Sequence, residues 1–196
     1  MKPVREIRSR TTVLPNENVD TDQIIPARFL VTTSSEGMGD GLFADWRYDA
    51  DGQPRPDFVL NQTSAKGARV LVVGRNFGCG SSREHAVWAL TGGGFQALVS
   101  TAFADIFRAN ALKNGLVPVV VDEATHASLV ESPGIEVEIN VEAGTIAFGD
   151  HRASFPLESF SRFCLLNGLD ELAFLVDREK DIAAFEELSG PAPWRL

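Results

Sequence analysis

Apolar residues in this chain come in short blocks, and the spacing within each block predicts a different element. Residues 4–14 read as a first strand, closed by Pro15-Asn16. Ala68-Arg69-Val70-Leu71-Val72-Val73 is a nearly continuous apolar run ending at Gly74, the pattern of a buried strand. A helix-length segment from Glu84 to Leu90 follows, stopped by Gly92-Gly93-Gly94. The spacing then predicts a strand at 97–100 and a helix at 103–114, apolar on one face and ended by Gly115. A strand at 117–121 comes next. This β-α-β-α-β order predicts parallel pairing with right-handed crossovers, and so an α/β fold.

Further on, Ile135 to Val141 alternates with period two, and 144–148 pairs back on it as a hairpin. Residues 155–166 predict a helix with Gly168 at its C-terminal cap, and 169–188 one long or broken helix before a tail. Near the start, Pro26 stops any helix at the residue before it. Ser34 to Gly41 is too glycine-rich for a packed element and predicts a mobile loop, set within a mobile stretch of about 30–47. No repeat is evident, so 1–196 reads as one domain, with its C-terminal helix and tail at about 169–196.

Composition narrows the function classes. With 196 residues, 44% of them apolar, the chain can bury one substantial core. A formal charge of −9 excludes nucleic acid and anionic membrane as partners, since both require a basic face. No apolar run reaches the length of a membrane span, and the N-terminus carries neither a signal core nor an arginine-rich transit segment. A cytoplasmic protein is expected. Cys79 and Cys164 are isolated, which argues against a structural disulfide. Two cysteines are also too few to hold an iron–sulfur cluster. His85, His126 and His151 are scattered through different elements.

The chemistry concentrates in Gly78-Cys79-Gly80-Ser81-Ser82-Arg83-Glu84-His85. A glycine-rich turn here delivers two hydroxyls and a guanidinium to a helix start, where free N–H groups and the helix dipole favour negative charge. Ser81-x-x-Glu84 also fits a capping box, which explains one serine and the glutamate but not Ser82, Arg83 or the flanking Gly74, Gly78 and Gly80. Nucleotide loops do not fit. No Lys-Ser or Lys-Thr pair follows the glycines, and they do not form G-x-G-x-x-G.

Asn76-Phe77-Gly78-Cys79-Gly80-Ser81-Ser82-Arg83-Glu84-His85-Ala86 closely resembles the signature of the aconitase superfamily's swivelling domain. More narrowly, it is similar to the small subunits of 3-isopropylmalate dehydratases. Asn18-Val19-Asp20-Thr21-Asp22-Gln23-Ile24-Ile25-Pro26 matches the family's N-terminal motif. Leu42 to Arg47, Pro56 to Asn61, Phe103 to Asn110 and Asn114 to Pro118 resemble its later segments, in order along nearly the whole chain. The resemblance implies a swivelling β/β/α barrel-like domain. It also implies the isomerisation of 2-isopropylmalate to 3-isopropylmalate by dehydration and rehydration. The partner it implies is a large subunit carrying a [4Fe-4S] cluster, with no cofactor in this chain itself. Related acids such as homoaconitate or citramalate stay open as substrates, as does a carboxylate-binding module without catalysis.

Carried over by motif, Ser81 is the base, acting as an alkoxide, with Ser82 and Arg83 completing an anion site and Asp22 ordering it. A hydroxyl serves as a base at neutral pH only where preorganised donors stabilise its anion, each worth about 3–4 kcal/mol. Asp22 is otherwise explained by an Asx turn before Pro26. Thr21 is expected to contribute a hydrogen bond at the substrate. Arg28 is a candidate for a carboxylate contact or a surface salt bridge. Leu30, Val31 and Phe43 are candidates to pack on an isopropyl group or to belong to the core. Ile25 stands where aconitases carry a serine, which suggests a less polar pocket. Cys79 is expected to be a small buried side chain.

Overall fold

The structure, a computed structural model, describes residues 1–31, 34–81 and 83–189. Its framework is β1 (Glu6–Leu14), β2 (Val70–Val73), β3 (Ala97–Ser100), β4 (Val117–Val120), β5 (Glu136–Asn140), β6 (Thr145–Phe148) and β7 (His151–Ser154). They form one sheet in the order β4-β3-β2-β1-β5-β6-β7. β1 serves both halves. Its C-terminal part pairs in parallel with β2, from Thr11 opposite Val70 to Leu14 opposite Val73. Its N-terminal part pairs antiparallel with β5, from Glu6 opposite Asn140 to Arg10 opposite Glu136. β3 and β4 continue the parallel half, as the sequence alternation predicts. Pro118 is tolerated in β4 because that strand lies at the sheet edge, where a missing N–H costs no ladder bond.

Every residue of β2 and β3 is buried, because helices cover both faces of the parallel half. Alternate side chains point to opposite faces. Leu71, Val73 and Leu98 pack with Ile24, Phe77, Leu90 and Phe107. Val70, Val72, Ala97 and Val99 pack with Leu129, Ile139, Ile146 and Leu165. Full burial of each such side chain is worth about 1.5–3 kcal/mol. On the first face lie α1 (Thr21–Ile24), α2 (Ala44–Arg47), α3 (Glu84–Gly92) and α4 (Asp105–Lys113). On the second lie α5 (Glu123–Glu131) and α6 (Ser159–Asn167).

The last helix is broken, into α7 (Glu171–Asp177) and α8 (Glu179–Ser189). Gly168 ends α6 in the left-handed region at φ 69, where glycine carries no steric penalty.

Three segments depart from the sequence reading. Residues 123–131, which the apolar pattern leaves unassigned, form α5. Its cap is signalled by Asp122-x-x-Thr125, with the Asp122 carboxylate accepting from the Thr125 N–H at 2.9 Å. The hairpin 136–148 gains a further strand, β7, beyond a turn at Gly149-Asp150. The glycine-rich segment does pack: Met38–Gly41 is a turn of 3₁₀ helix with Met38 and Gly41 buried against the core. Glycine serves there for close approach. A Cβ on Gly41 would run into the side chains of Ile25 and Phe29.

Candidate active site

The loops that follow β1, β2 and β3 lie side by side at the carboxyl ends of those strands, where ligands of open α/β sheets bind. Asn18 donates its backbone N–H to the Arg75 carbonyl, and Gly78 donates to the Val19 carbonyl. On the other side, Asn76 donates to the Ala102 carbonyl and Ala104 to that of Phe77. Asn18 and Asn76 both adopt left-handed backbone conformations, at φ 54 and 58. Asparagine tolerates that region. The two side chains are joined by a bond from Asn76 Nδ2 to Asn18 Oδ1 at 2.9 Å. Gly78 needs to be glycine twice over: its φ is 78, and a Cβ there would overlap the Phe107 ring.

The short helix α1 brings the N-terminal motif against this turn. Asp20 and Gln23 form a capping box: Asp20 Oδ1 accepts from the Gln23 N–H at 2.9 Å, and Gln23 Oε1 accepts from the Asp20 N–H at 2.8 Å. The next two residues hold the serine-bearing loop. Thr21 donates its backbone N–H to the Cys79 carbonyl at 2.9 Å. Its hydroxyl donates to the Ser81 carbonyl at 3.0 Å. Asp22 pairs with Arg83 through Oδ1 and a guanidinium N–H.

The capping box suggested for Ser81 and Glu84 does not form. α3 starts at Glu84 with Arg83 at the cap position, and no side chain caps it. Glu84 Oε1 instead accepts from Asn114 Nδ2 at 2.8 Å, and Asn114 Oδ1 accepts from Trp88 Nε1 at 2.9 Å, tying α3 to the end of α4. Ser81 is therefore left exposed ahead of the helix. It lines a hollow of about 240 Å³ with Thr21, Gly80, Arg83, Asp105 and Ile106. The hollow is charged on the Arg83 side and aliphatic at Ile106. A roomier hollow of about 310 Å³ lies between α4, α6 and α7, but none of the described residues among 18–26 and 76–86 lines it.

The structure separates the other candidates. Ser82 lies outside the described residues. Phe43 has no exposed surface and stacks on Trp46 with ring centroids 5.6 Å apart, so it is a core residue, not a substrate contact. Ile25 is likewise fully buried and lines no pocket near Ser81, so its contrast with serine bears on the core. Thr21 is 2% exposed, with its hydroxyl committed to the protein. Arg28 pairs with Asp45 at 2.7 Å on the surface and takes the salt-bridge alternative. Leu30 packs at the core margin, while Val31 is 90% exposed. Cys79 is half-buried, with its thiol donating to the Asn18 carbonyl at 3.3 Å.

Asp105 and Ile106 went unselected in the sequence. They open α4 directly after β3, so the convergence of successive strand ends on one site would have pointed to them. Among the described residues, no group of three or more His, Cys, Asp or Glu is placed to hold a metal ion. No helix among them is long and apolar enough to cross a membrane.

Comparison with known proteins agrees with this geometry. Residues 1–124 match the aconitase C-terminal domain family. The 3-isopropylmalate dehydratase small subunit of Anaeromyxobacter dehalogenans (strain 2CP-1) is 63% identical over 187 residues, covering 95% of this chain and 98% of its own. The small subunit of the same name from Roseiflexus castenholzii is 52% identical over 196 residues, covering 97% of this chain and 96% of its own. The crystal structure of a 3-isopropylmalate dehydratase from Methanocaldococcus jannaschii superposes with a TM-score of 0.69 at 27% identity, over 92% of this chain and 99% of that one. With its motifs on adjoining loops and curated relatives matching over at least 95% of its length, the chain belongs to the 3-isopropylmalate dehydratase small-subunit family of aconitase C-terminal domains.

Proposed function

We propose that this chain is one subunit of a two-chain hydro-lyase that interconverts 2-isopropylmalate and 3-isopropylmalate in leucine biosynthesis, with Ser81 as the base. The observation that carries the reading is the place of Ser81. It stands exposed on the hollow beside Arg83, whose orientation is fixed by Asp22, and no helix cap engages it.

The reaction needs a proton removed from carbon and hydroxide lost from the neighbouring carbon. The Ser81 oxygen takes the proton, and the electron pair left on carbon forms the double bond as hydroxide departs on the partner's side. Water then returns with the opposite placement of proton and hydroxyl. The guanidinium of Arg83 supplies a fixed positive charge beside the serine and a planar fork for a substrate carboxylate. The start of α3 adds the positive end of its dipole. The aliphatic Ile106 suits an isopropyl group better than a second carboxylate. The family's [4Fe-4S] cluster would supply the Lewis acid for hydroxide from the large subunit, since the described residues of this chain offer it no donor set.

The test is co-purification with a tagged large subunit, followed by assay on 2-isopropylmalate, homoaconitate and citramalate. Turnover is expected on 2-isopropylmalate. Ser81→Ala should lower it by roughly 10²–10⁴-fold, the usual contribution of a positioned base, at an unchanged melting temperature. An alanine variant with full turnover would overturn the assignment.

A further inference from the structure

We infer that Thr21 is a positioning residue for Ser81, acting through the Ser81 backbone and not on the substrate; the inference rests on Ser81 being the base. Thr21 holds the loop at two points. Its N–H donates to the Cys79 carbonyl at 2.9 Å, and its hydroxyl donates to the Ser81 carbonyl at 3.0 Å. The two acceptors flank Gly80, which sits at φ 88 and has no side chain to anchor it. Glycine explores more backbone conformations than any other residue, so an untethered Gly80 lets Ser81 swing. Downstream, α3 begins only at Glu84, and the next tie among the described residues is the pairing of the Arg83 side chain with Asp22. Among the described residues no other hydrogen bond reaches the Ser81 backbone.

Thr21 itself is fixed. It is 2% exposed, opens α1 behind the Asp20–Gln23 capping box, and accepts the Ile25 N–H at 3.0 Å. Its branched side chain has few rotamers. The hydroxyl is thus a rigid stop aimed at the residue that moves the proton. The neighbouring pair Asp22 and Arg83 continues the same contact one step on, so residues 20–22 grip Cys79, Ser81 and Arg83 in turn.

The experiment uses the chain both alone and with its large subunit. Thr21→Val keeps the branched shape and the backbone N–H but leaves the Ser81 carbonyl without its donor. In the complex, kcat is expected to fall about tenfold to a hundredfold, as small displacements of reacting groups do. KM should stay within about twofold, the pattern of an interaction that serves the transition state. Thr21→Ser should restore most of kcat. In a Ser81→Ala background Thr21→Val should add no further loss. In the isolated chain, amide exchange across 79–83 should quicken in Thr21→Val and slow again in Thr21→Ser. If the valine variant fails to assemble, Thr21→Ala is read by the same measures. Wild-type kcat in Thr21→Val, a raised KM at unchanged kcat, or an additive loss in the Ser81→Ala background would overturn the inference. Full turnover by Ser81→Ala alone would instead remove the base assignment, while the exchange rates would still decide whether Thr21 holds the loop.

Discussion

Gly39 and Gly92 meet backbone to backbone, and through them the turn Met38–Gly41 docks on the end of α3. A Cβ on Gly92 would stand 2.7 Å from the Gly39 nitrogen, and one on Gly39 would overlap the Gly92 carbonyl. Neither neighbour is a flexible side chain, so the added atom cannot be absorbed locally. Gly39→Ala is expected to destabilise the chain by about 1–3 kcal/mol, the usual range for overpacking, read by urea unfolding. Because both glycines serve one contact, Gly39→Ala with Gly92→Ala should cost less than the sum of the two. Small, additive losses would show that the turn is free to lift off α3.

The pair of Asp22 and Arg83 predicts a difference between two cations of equal charge. Arg83→Lys keeps the charge but loses the planar fork that pairs with Asp22 and, in the proposed mechanism, would also reach a substrate carboxylate. Hydrogen bonds to charged groups are worth about 1.5–3 kcal/mol, so kcat/KM of the assembled enzyme should drop about tenfold or more. Asp22→Asn should cost less, since an amide still accepts one bond. Steady-state kinetics on 2-isopropylmalate decide the matter; a lysine variant of native efficiency would mean the fork is not used.

Asp122 gives stability a dependence on acid. The Thr125 backbone N–H, and then the Thr125 hydroxyl, hold its carboxylate below the ordinary value of 3.8. A group lowered on folding contributes fully above its unfolded pKa and loses that contribution as pH falls through the folded one. Asp122→Asn should therefore be less stable than the native chain near neutrality, and the gap should close below about pH 4. Acid titrations of both proteins, followed by circular dichroism, measure it. A gap that persists at low pH would assign the stabilisation to something other than the ionised cap.

Legibility in the sequence followed the physics of each element. β2 and β3 stood out because a strand buried on both faces has to be apolar throughout. The loop around Ser81 stood out because few other turns put so many glycines beside hydroxyls and a guanidinium. Glycine content misled at 38–41, since a residue without a side chain serves an open loop and a backbone contact equally well, and composition does not separate the two. Phe43 was obscured by its own backbone. At φ 50 it turns its ring inward from a segment that reads as surface loop. β7 carries mostly exposed side chains and exists because Gly149-Asp150 folds it back onto β6, a turn signal shorter than any apolar pattern. The tie from Thr21 to Ser81 joins residues 60 apart, which no local spacing reveals.

Because β1 is shared by both halves of the sheet, synthesis and folding are out of step. The segment is made before either neighbour, since its parallel one spans residues 70–73 and its antiparallel one 136–140. Nascent chains therefore carry an unsatisfied ribbon edge until residues 136–140 are made, and such edges invite pairing with other molecules. Non-local closure of this kind also slows folding relative to helical domains of similar size. Arg8, Arg10 and Glu6, charged residues on the half that waits longest, keep that edge in water until its mate arrives.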